Sequence, residues 1–323
     1  MTSIPTLPST DLQRRPRIVV LGSLNMDLVL RVPHAPAAGE TLEGRSIDRI
    51  PGGKGGNQAV ACARQGAQVR LTGCVGDDAD GRALRDALAR DGVDTSSVRV
   101  DAQATTGTAL VMVDDAGQNR IVVIAGANAG VEIEDDDFAE RLRDADFLVA
   151  QFETPLAEVA RAMHVAKRTG CKVLLNPSPA RPIDEALWLL IDTLVVNEVE
   201  AGMLSGQAVD TPHDAAAAGQ ALRERGIARV VVTLGARGAV AVDSQGARHH
   251  TAPVVEVVDT TAAGDTFLGA LAVALAQDGD LDEAVRLGIR AAALCVTRPG
   301  AQPSIPQRET VLRSPLPPAW TSL

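Results

Sequence analysis

A single carboxylate stands at the start of an apolar helix in the stretch "DTTAAGDTFLGALAVALA", residues 259–276. Asp265 follows three small residues, Ala262, Ala263 and Gly264, and the apolar side chains after it recur at helical spacing. The first amide groups of a helix lack partners within the helix and carry partial positive charge, so they suit a phosphate during its transfer. Asp265 can then accept the proton of an attacking hydroxyl group. The alternative interpretation is that Asp265 only caps the helix.

The stretch "PGGKGGNQAV", residues 51–60, places four glycines around Lys54 directly ahead of another predicted helix. Glycine lets the backbone approach a ligand closely and adopt positive φ angles. The spacing differs from that of a P-loop. We interpret Asn57 and Gln58, on the first helical turn, as groups suited to binding hydroxyls. A flexible connector between strand and helix is the alternative.

Asn25 and Asp27 follow the first predicted strand and are two residues apart. Side chains at this spacing lie on the same face of an extended chain. A carboxylate next to an amide suits a ligand with several hydroxyl groups. Because Asn and Asp also favour turns, an ordinary turn is the alternative.

Two later strand ends also carry candidate binding residues. After the strand "DTLVV", Asn197 can contact a phosphate and Glu200 can hold Mg²⁺ through water. The alternative for Asn197 is a helix N-cap. The stretch "VTLGARGAV" follows another strand, and its residues Gly235 and Gly238 belong either to a binding loop or to a hairpin turn.

The elements that must position these residues follow a regular pattern. Short strands rich in Val and Leu alternate with Ala-rich helical stretches, which predicts an α/β fold with a parallel central sheet flanked by helices. Two segments, 28–50 and 106–125, contain strands without an intervening helix and predict a small separate sheet. The second segment predicts a hairpin that turns at 114–118.

Charge and composition exclude several classes of function. The net charge of the 323-residue chain is −10, which argues against a nucleic-acid partner and against binding to an anionic membrane. No apolar stretch reaches the roughly 18 residues that a membrane span needs. The four cysteines are scattered without CxxC pairs, so we predict a cytoplasmic protein. We interpret residues 1–16 as a flexible leader and 313–323 as a C-terminal tail.

Taken together, the motifs resemble the ribokinase branch of the PfkB carbohydrate kinase family. They occur in one order from about residue 17 to about residue 310: "NMD", "GGKGGNQA", "TGTA", "AGAN", "FETP", "NPSPA", "NEVEA", "TLGARG", "DTTAAGDTF" and "VTRPGAQPS". The resemblance implies a Rossmann-like catalytic domain over 17–312, with a small β-sheet lid from 28–50 and 106–125. It also implies a homodimer in which the lids of two subunits clasp.

The resemblance implies an activity as well, namely ATP-dependent phosphorylation of D-ribose at its 5-hydroxyl, with Mg²⁺ bound to ATP and K⁺ or another monovalent cation as activator. In that reaction Asp265 would be the general base. The sugar contacts would be Asn25, Asp27, Gly53, Lys54, Asn57 and Glu153. The ATP site would contain Asn197, Thr233, Gly235 and Gly238, with Ala262, Ala263 and Gly264 as the anion hole and Glu200 in the water shell of Mg²⁺. The monovalent cation would be bound by the side chains of Asp259 and Ser304 and the carbonyls of Thr261, Cys295, Arg298 and Gly300.

One stretch departs from the family pattern. Relatives often have Asn or His just before the Ala run of the helix beside adenine, whereas this chain has Ile289 and Arg290 there. The resemblance therefore leads us to expect that adenine contacts at this helix are apolar or come from the Arg290 side chain.

Other functions remain open at this point. A PfkB-type kinase for another compound, such as deoxyribose, a ketohexose or a nucleoside, would carry the same motifs. A non-catalytic sensor of sugar or nucleotide on the same fold is a second alternative, although a sensor needs no general base. A dinucleotide oxidoreductase is disfavoured because no GxGxxG follows the first strand.

Overall fold

The computed structural model describes residues 14–277, 279–315 and 319–323. Most of the predicted leader (residues 1–13) and part of the predicted tail (residues 316–318) lie outside the described residues. Within the described ranges, no helix combines the length and the apolar character that crossing a bilayer requires.

Strands and helices alternate along most of the chain, as the sequence predicts. The strands are β1 Arg17–Leu21, β2 Asn25–Arg31, β3 Ser46–Gly52, β4 Gln68–Gly76, β5 Asp94–Asp101, β6 Gly107–Val113, β7 Asn119–Ile124, β8 Phe147–Ala150, β9 Lys172–Leu175, β10 Thr193–Asn197, β11 Arg229–Thr233, β12 Ala239–Asp243, β13 Gly246–His250 and β14 Thr321–Ser322. The α-helices are α1 Lys54–Arg64, α2 Ala79–Arg90, α3 Asp135–Leu142, α4 Leu156–Thr169, α5 Glu198–Ser205, α6 Pro212–Arg223, α7 Ala263–Ala276, α8 Leu281–Cys295 and α9 Arg308–Arg313.

The described residues form a ten-stranded sheet with the order β14-β13-β12-β11-β10-β9-β8-β1-β4-β5. The strands from β5 to β11 in this order run parallel, and β12, β13 and β14 add to the edge in antiparallel fashion. The predicted parallel sheet is therefore confirmed. Strand order reverses between β1 and β8, and in such sheets ligands bind beyond the carboxyl ends of the strands at this switch point.

Alternate residues of the central strands pack on opposite faces of the sheet. In β8, Leu148 belongs to the hydrophobic cluster that includes Ala162 of α4, whereas Val149 belongs to the cluster that includes Leu271 of α7. Successive side chains of a strand point to opposite faces, so a strand covered by helices on both sides must be apolar throughout. This packing on both faces explains why the central strands are apolar throughout in the sequence.

Helices α1 and α7 pack closely because small residues line their contact. A Cβ added to Gly269 would lie 2.4 Å from the Cβ of Ala61, so glycine is required there. At the start of α1, a Cβ on Gly55 would lie 2.6 Å from the Cα of Gly22, which brings this helix against the loop after β1. The first turns of α1 and α7 thus lie together beyond the carboxyl end of β1.

A second, four-stranded sheet has the order β3-β2-β6-β7 within the described residues. It takes its strands from the two segments that break the helix–strand alternation, and β2 begins at Asn25, slightly ahead of the first segment. Strands β6 and β7 form the predicted hairpin: Asp114 N–H donates to the Gln118 carbonyl over 3.1 Å, and Gly117 has a φ of 75°. The predicted smaller sheet is confirmed.

Candidate active site

Asp265 lies on the first turn of α7, and its carboxylate is held by two side chains of α1. Asn57 donates from Nδ2 to Asp265 Oδ2 over 3.0 Å, and Gln58 donates from Nε2 to Oδ1 over 2.9 Å. Asp265 is only 7% exposed. The N-cap residue of α7 is Ala262, so the alternative in which Asp265 caps the helix is wrong. Each carboxylate oxygen keeps a lone pair with which to accept a hydroxyl proton.

A second set of amides orients Gln58 itself. Gln151 donates from Nε2 to Gln58 Oε1 over 2.6 Å, and Asn176 Oδ1 accepts from Gln58 Nε2 over 3.4 Å. Because Oε1 is occupied by a donor, the Gln58 amide presents its Nε2 group to Asp265. Gln151 and Asn176 are not among the site residues predicted from the sequence. The available signal was their position directly after β8 and β9, at the carboxyl edge of the sheet.

The backbone ahead of α7 forms a turn that exposes an amide group. Ala262 has a φ of 60° and is the one non-glycine residue with a positive φ in the described part of the chain. The Ala263 N–H donates to the Thr260 carbonyl over 3.2 Å. The Gly264 N–H is among the first amides of the helix, which have no carbonyl partner one turn earlier. Space beside Gly264 is open, because a Cβ there would meet no atom within 4 Å.

Glu153 is bonded to the start of α1 and to the loop after β1. Its Oε2 atom accepts hydrogen bonds from Ser23 Oγ over 2.5 Å and from the Lys54 N–H over 3.1 Å. Burial lowers the pKa of the Lys54 ammonium, but the nearby carboxylates, Asp265 first and Glu153 next, outweigh burial and raise that pKa above its usual value. Lys54 therefore stays charged. Ser23 is a further contact that the motifs did not reveal.

Asn128, in the motif "AGAN", fixes the position of Asn25. Its Nδ2 group donates to Asn25 Oδ1 over 2.8 Å and to the Leu24 carbonyl over 3.1 Å, while the Leu24 N–H donates to Asn128 Oδ1 over 2.9 Å. Gly107, in the motif "TGTA", leaves room for this contact, because a Cβ there would lie 2.1 Å from Asn128 Nδ2. Asn25 is therefore held rigidly where β1 meets the smaller sheet.

Asp27 is a buried carboxylate whose charge changes near neutral pH. It lies against Gly52, where a Cβ would be 2.2 Å from Asp27 Oδ2. Burial, followed by the negative charges of Glu153 and Asp265, raises the pKa of Asp27 to about 7. Asp27 is 8% exposed, so solvent does little to stabilise its ionised form. The two residues predicted as a pair, Asn25 and Asp27, thus lie on one strand of the site.

Asn197 and Glu200 form a reciprocal capping box at the start of α5. Asn197 Oδ1 accepts from the Glu200 N–H over 2.8 Å, and Glu200 Oε2 accepts from the Asn197 N–H over 3.0 Å. The N-cap alternative for Asn197 is therefore confirmed. Thr233 lies beside Asn197 in the register of β10 and β11, and its hydroxyl donates to the Val196 carbonyl over 3.3 Å. Asn197 and Thr233 therefore lie next to each other at the carboxyl ends of β10 and β11.

Gly235 and Gly238 lie in the short turn between β11 and β12, so the hairpin alternative is also confirmed. Gly238 has φ 93° and ψ −131°, a conformation that is essentially restricted to glycine. A Cβ there would lie 1.9 Å from the His250 carbonyl oxygen. The backbone of this turn therefore lies close to β13 and next to the end of β11.

Asp259 connects the turn before α7 to the segment after α8. Its Oδ1 accepts from the Thr261 N–H over 2.9 Å and from the Thr261 hydroxyl over 2.6 Å, and its Oδ2 accepts from the Gly300 N–H over 2.8 Å. Because Oδ1 accepts two hydrogen bonds and Oδ2 accepts one, a lone pair for a cation remains on Oδ2. Three of the residues expected at a monovalent cation site are thus in direct contact.

Cys295 contacts both Ser304 and Thr261, so two further residues expected at the cation site join this cluster. Cys295 Sγ is 3.0 Å from Ser304 Oγ and 3.7 Å from the Thr261 carbonyl oxygen, and the Arg298 N–H donates to the Cys295 carbonyl over 3.1 Å. Burial raises the pKa of the Cys295 thiol, so the sulfur stays protonated. The remaining donors are a carboxylate, a hydroxyl and carbonyls, a set that fits a hard monovalent cation.

The expectation for adenine at Ile289 and Arg290 is not supported. Ile289 is 4% exposed and belongs to the hydrophobic core. Arg290 donates from Nε to Ser314 Oγ over 3.2 Å and from Nη2 to the Ser314 carbonyl over 2.5 Å, so its guanidinium points toward the end of α9. Helical periodicity does not specify which neighbour each face of α8 meets.

The chain is similar to known proteins over nearly its whole length. A sequence model of the pfkB family carbohydrate kinases matches residues 15–308. The chain belongs to the pfkB family of carbohydrate kinases. This pfkB kinase is 41% identical to the ribokinase of Haemophilus influenzae over 299 residues, which cover 92% of this chain and 98% of that protein. It is 36% identical to the deoxyribokinase of Salmonella typhimurium over 294 residues, which cover 90% and 96% of the two chains.

The fold of this pfkB kinase is also similar to that of solved structures. The structure of Arabidopsis thaliana ribokinase complexed with ribose and ATP matches it with a TM-score of 0.87 at 34% identity, over 93% of this chain and 98% of the other. Ribokinase from Thermotoga maritima matches with a TM-score of 0.81 at 39% identity, over 91% and 97%. These matches extend over nearly the whole chain.

Proposed function

We propose that this pfkB family kinase phosphorylates D-ribose at O5 with ATP, giving D-ribose 5-phosphate and ADP. One observation carries the proposal: Asp265 lies buried on the first turn of α7, directly after Gly264, whose amide is among the first of the helix and whose Cα faces open space. Phosphoryl transfer to an alcohol is assisted by a base that accepts the hydroxyl proton and by a group that stabilises the charge on the transferring phosphate, and Asp265 and Gly264 can supply both. The similarity to ribokinases over nearly the whole chain supports ribose as the alcohol.

In this proposal Asp265 accepts the proton of the 5-hydroxyl as the oxygen attacks the terminal phosphorus of ATP. The amides of Asn57 and Gln58 keep the carboxylate in one orientation, so little reorganisation is needed during the transfer. The partial positive charge at the start of α7 stabilises the negative charge on the transferring group. The sugar is held by Asn25, Asp27, Gly53, Lys54, Asn57 and Glu153.

The nucleotide lies between the ends of β10 and β11 and the start of α7 in this proposal. Its contacts are Asn197, Thr233, Gly235, Gly238, Ala262, Ala263 and Gly264. Mg²⁺ bound with ATP would neutralise charge on the phosphates, and Glu200 would hold its water shell. Glu200 is 3% exposed, and its negative charge contributes to the raised pKa of Lys54. This electrostatic effect supports a position of Glu200 close to the proposed site of phosphoryl transfer.

The proposal also includes a monovalent cation as activator, with K⁺ as the expected ion. Its ligands are Asp259, Thr261, Cys295, Arg298, Gly300 and Ser304, with Cys295 acting through its carbonyl. When bound, the cation would add positive charge close to the anion-binding turn at Ala262. The hydrogen bonds of Asp259 and the protonated state of the Cys295 thiol support this oxygen-donor set.

A homodimer joined through the smaller sheet completes the proposal, with that sheet acting as a lid on the catalytic domain over 17–312. The edge strand β7 exposes four consecutive apolar side chains, Ile121 to Ile124, each more than half exposed. An exposed apolar edge strand tends to pair with another chain. A second copy of this chain presents the same edge, so the pairing can be symmetric.

We also propose the cytoplasm as the compartment. All four cysteines are buried free thiols. Free thiols persist in a reducing compartment, which supports this assignment.

The 2-deoxy sugar is a second candidate substrate, because a deoxyribokinase is also similar over nearly the whole chain. An ADP-release assay with ATP and a panel of ribose, 2-deoxyribose, fructose and a nucleoside separates the candidates. We expect kcat/KM to be highest for ribose, by roughly the tenfold or more that one hydroxyl contact contributes. Equal or higher kcat/KM for another member of the panel would replace ribose by that compound. Tight ribose binding without ADP release would instead support a sensor.

A further inference from the structure

Arg64, on the last turn of α1, joins three parts of the molecule through its guanidinium group. It donates from Nε and Nη2 to the two carboxylate oxygens of Asp91 over 2.7 and 2.9 Å. Its Nη1 group donates to the carbonyls of Gln302 and Ile305, each over 2.7 Å. The side chains of Arg64 and Asp91 are each 16% exposed, so this cluster is largely shielded from water.

The two carbonyls that Arg64 binds lie on either side of Ser304. This residue is wholly buried within a short 3₁₀ turn, where its hydroxyl donates to the Ala301 carbonyl over 2.8 Å and lies 3.0 Å from Cys295 Sγ. The turn follows Gly300, whose N–H donates to Asp259. The guanidinium of Arg64 therefore fixes the segment that supplies the hydroxyl ligand of the proposed cation site.

Arg64 is remote from the sugar and the transferring phosphate. Helix α1 has 11 residues, and Lys54 is its first and Arg64 its last. With a rise of about 1.5 Å per residue, the backbones of the two residues are about 15 Å apart. Arg64 thus acts on the reaction only through the groups it holds.

The geometry points to a role for Arg64 as a positioning residue for the monovalent cation site. Asp91 orients the guanidinium, which holds the turn from Gln302 to Ile305 in the shape that directs Ser304 at the cation. The inference rests on the proposed function, because it concerns the cation site of that reaction. A planar guanidinium can bind a carboxylate through two parallel bonds and still donate to carbonyls, whereas an ammonium group cannot match this geometry.

Thermal unfolding of the ligand-free protein at increasing KCl tests the inference without relying on turnover, with choline chloride keeping the ionic strength constant. The variants are Arg64→Met, Arg64→Lys and Asp91→Asn. Arg70→Met is the matched control, because Arg70 is also partly buried and donates to a carbonyl, that of Arg141, over 2.9 Å. Arg70 is the third residue of β4, and its hydrogen bond to Arg141 does not involve the segment from Gly300 to Ile305.

We expect K⁺ to raise the Tm of the unsubstituted protein. In Arg64→Met, both hydrogen bonds to the turn are lost, and the K⁺ concentration that gives half of this shift should rise about tenfold or more. Arg64→Lys and Asp91→Asn should show smaller increases, and Arg70→Met should keep the original midpoint even if its Tm is lower. In the ribose assay, the K⁺ needed for half-maximal activity of Arg64→Met should rise by the same factor, with kcat at saturating K⁺ nearly unchanged.

Two results would overturn the inference. One is a lower Tm of Arg64→Met with an unchanged K⁺ midpoint, as in the Arg70→Met control, because Arg64 would then only stabilise the fold. The other is the absence of any K⁺-specific shift in the unsubstituted protein. The thermal result also distinguishes this inference from the substrate proposal. A K⁺ shift that depends on Arg64 in a protein without ribose turnover would support the inference and refute the substrate.

Discussion

Gln58 donates a 2.9 Å hydrogen bond to Asp265 across the contact between α1 and α7. Gln151 occupies the other end of the Gln58 amide, so the direction of the bond is set. We expect Gln58→Met to lower kcat about tenfold, the scale of one lost orienting hydrogen bond, with the KM for ATP unchanged. Steady-state kinetics with ribose measures both parameters. Gln220→Met, a substitution on α6, is the control, and an equal effect there would contradict the orienting role of Gln58.

Removing the proposed base, Asp265, should have a larger effect. Asp265→Asn keeps the shape of the side chain but cannot take up a proton, so we expect kcat to fall by roughly 10²-fold or more. Calorimetric titration with ribose should show that the sugar still binds. Turnover close to that of the unsubstituted enzyme, in a variant with a normal unfolding transition, would remove Asp265 from the chemistry.

Sugar binding should depend on pH through Asp27, whose pKa burial and the charges of Glu153 and Asp265 raise to about 7. As the pH falls through this value, the carboxylate becomes neutral and accepts hydroxyl hydrogen bonds less well. The KM for ribose should therefore increase by roughly tenfold between about pH 8 and about pH 6. Asp27→Asn should show a high KM that is nearly constant over this range. A pH-dependent KM that persists in Asp27→Asn would assign the effect to another group.

The same raised pKa affects stability. In the unfolded chain Asp27 returns to the ordinary pKa of 3.8, so the folded state binds the proton more strongly. The cost of ionising Asp27 in the folded protein is absent at low pH, grows as the pH rises from 3.8 toward 7, and is complete above 7. We therefore expect Asp27→Asn to raise the Tm by a few degrees at about pH 8 and by less at about pH 5. Equal changes in Tm at the two pH values would show that ionisation of Asp27 does not lower the free energy of unfolding.

The proposed dimer predicts a change in size when the exposed edge is charged. Val122 is 60% exposed in the middle of β7, and Val122→Asp would place two carboxylates in a symmetric contact. The variant should elute from a sizing column as a monomer, with the Tm of its own fold little changed. Leu189→Asp, at a site that is 70% exposed away from this sheet, should elute as the unsubstituted protein does. An unchanged elution volume for Val122→Asp would argue against the lid contact.

Local patterns in the sequence determined the fold class and singled out Asp265 as a candidate base. Apolar strands that alternate with helices leave few arrangements other than a parallel sheet covered on both faces. Asp265 could be singled out because small residues before it and an apolar helix after it are adjacent in the chain, and the family resemblance then implied its role as base. Gly117 marked the hairpin for the same reason, since a turn is decided by neighbouring residues.

Only the tertiary structure decided how Asp265 is held and what supports the proposed cation site. Gln58 and Asp265 are 207 residues apart in the chain, and Arg64 and Ile305 are 241 apart. A lone Gln or Arg on a helix carries no local signal of its partner. The partner depends on how helices cross, and here a glycine at Gly269 lets α7 approach Ala61 of α1. Such contacts follow from packing among distant segments, and the same packing turned Arg290 toward Ser314, where a helical pattern alone cannot assign the neighbour.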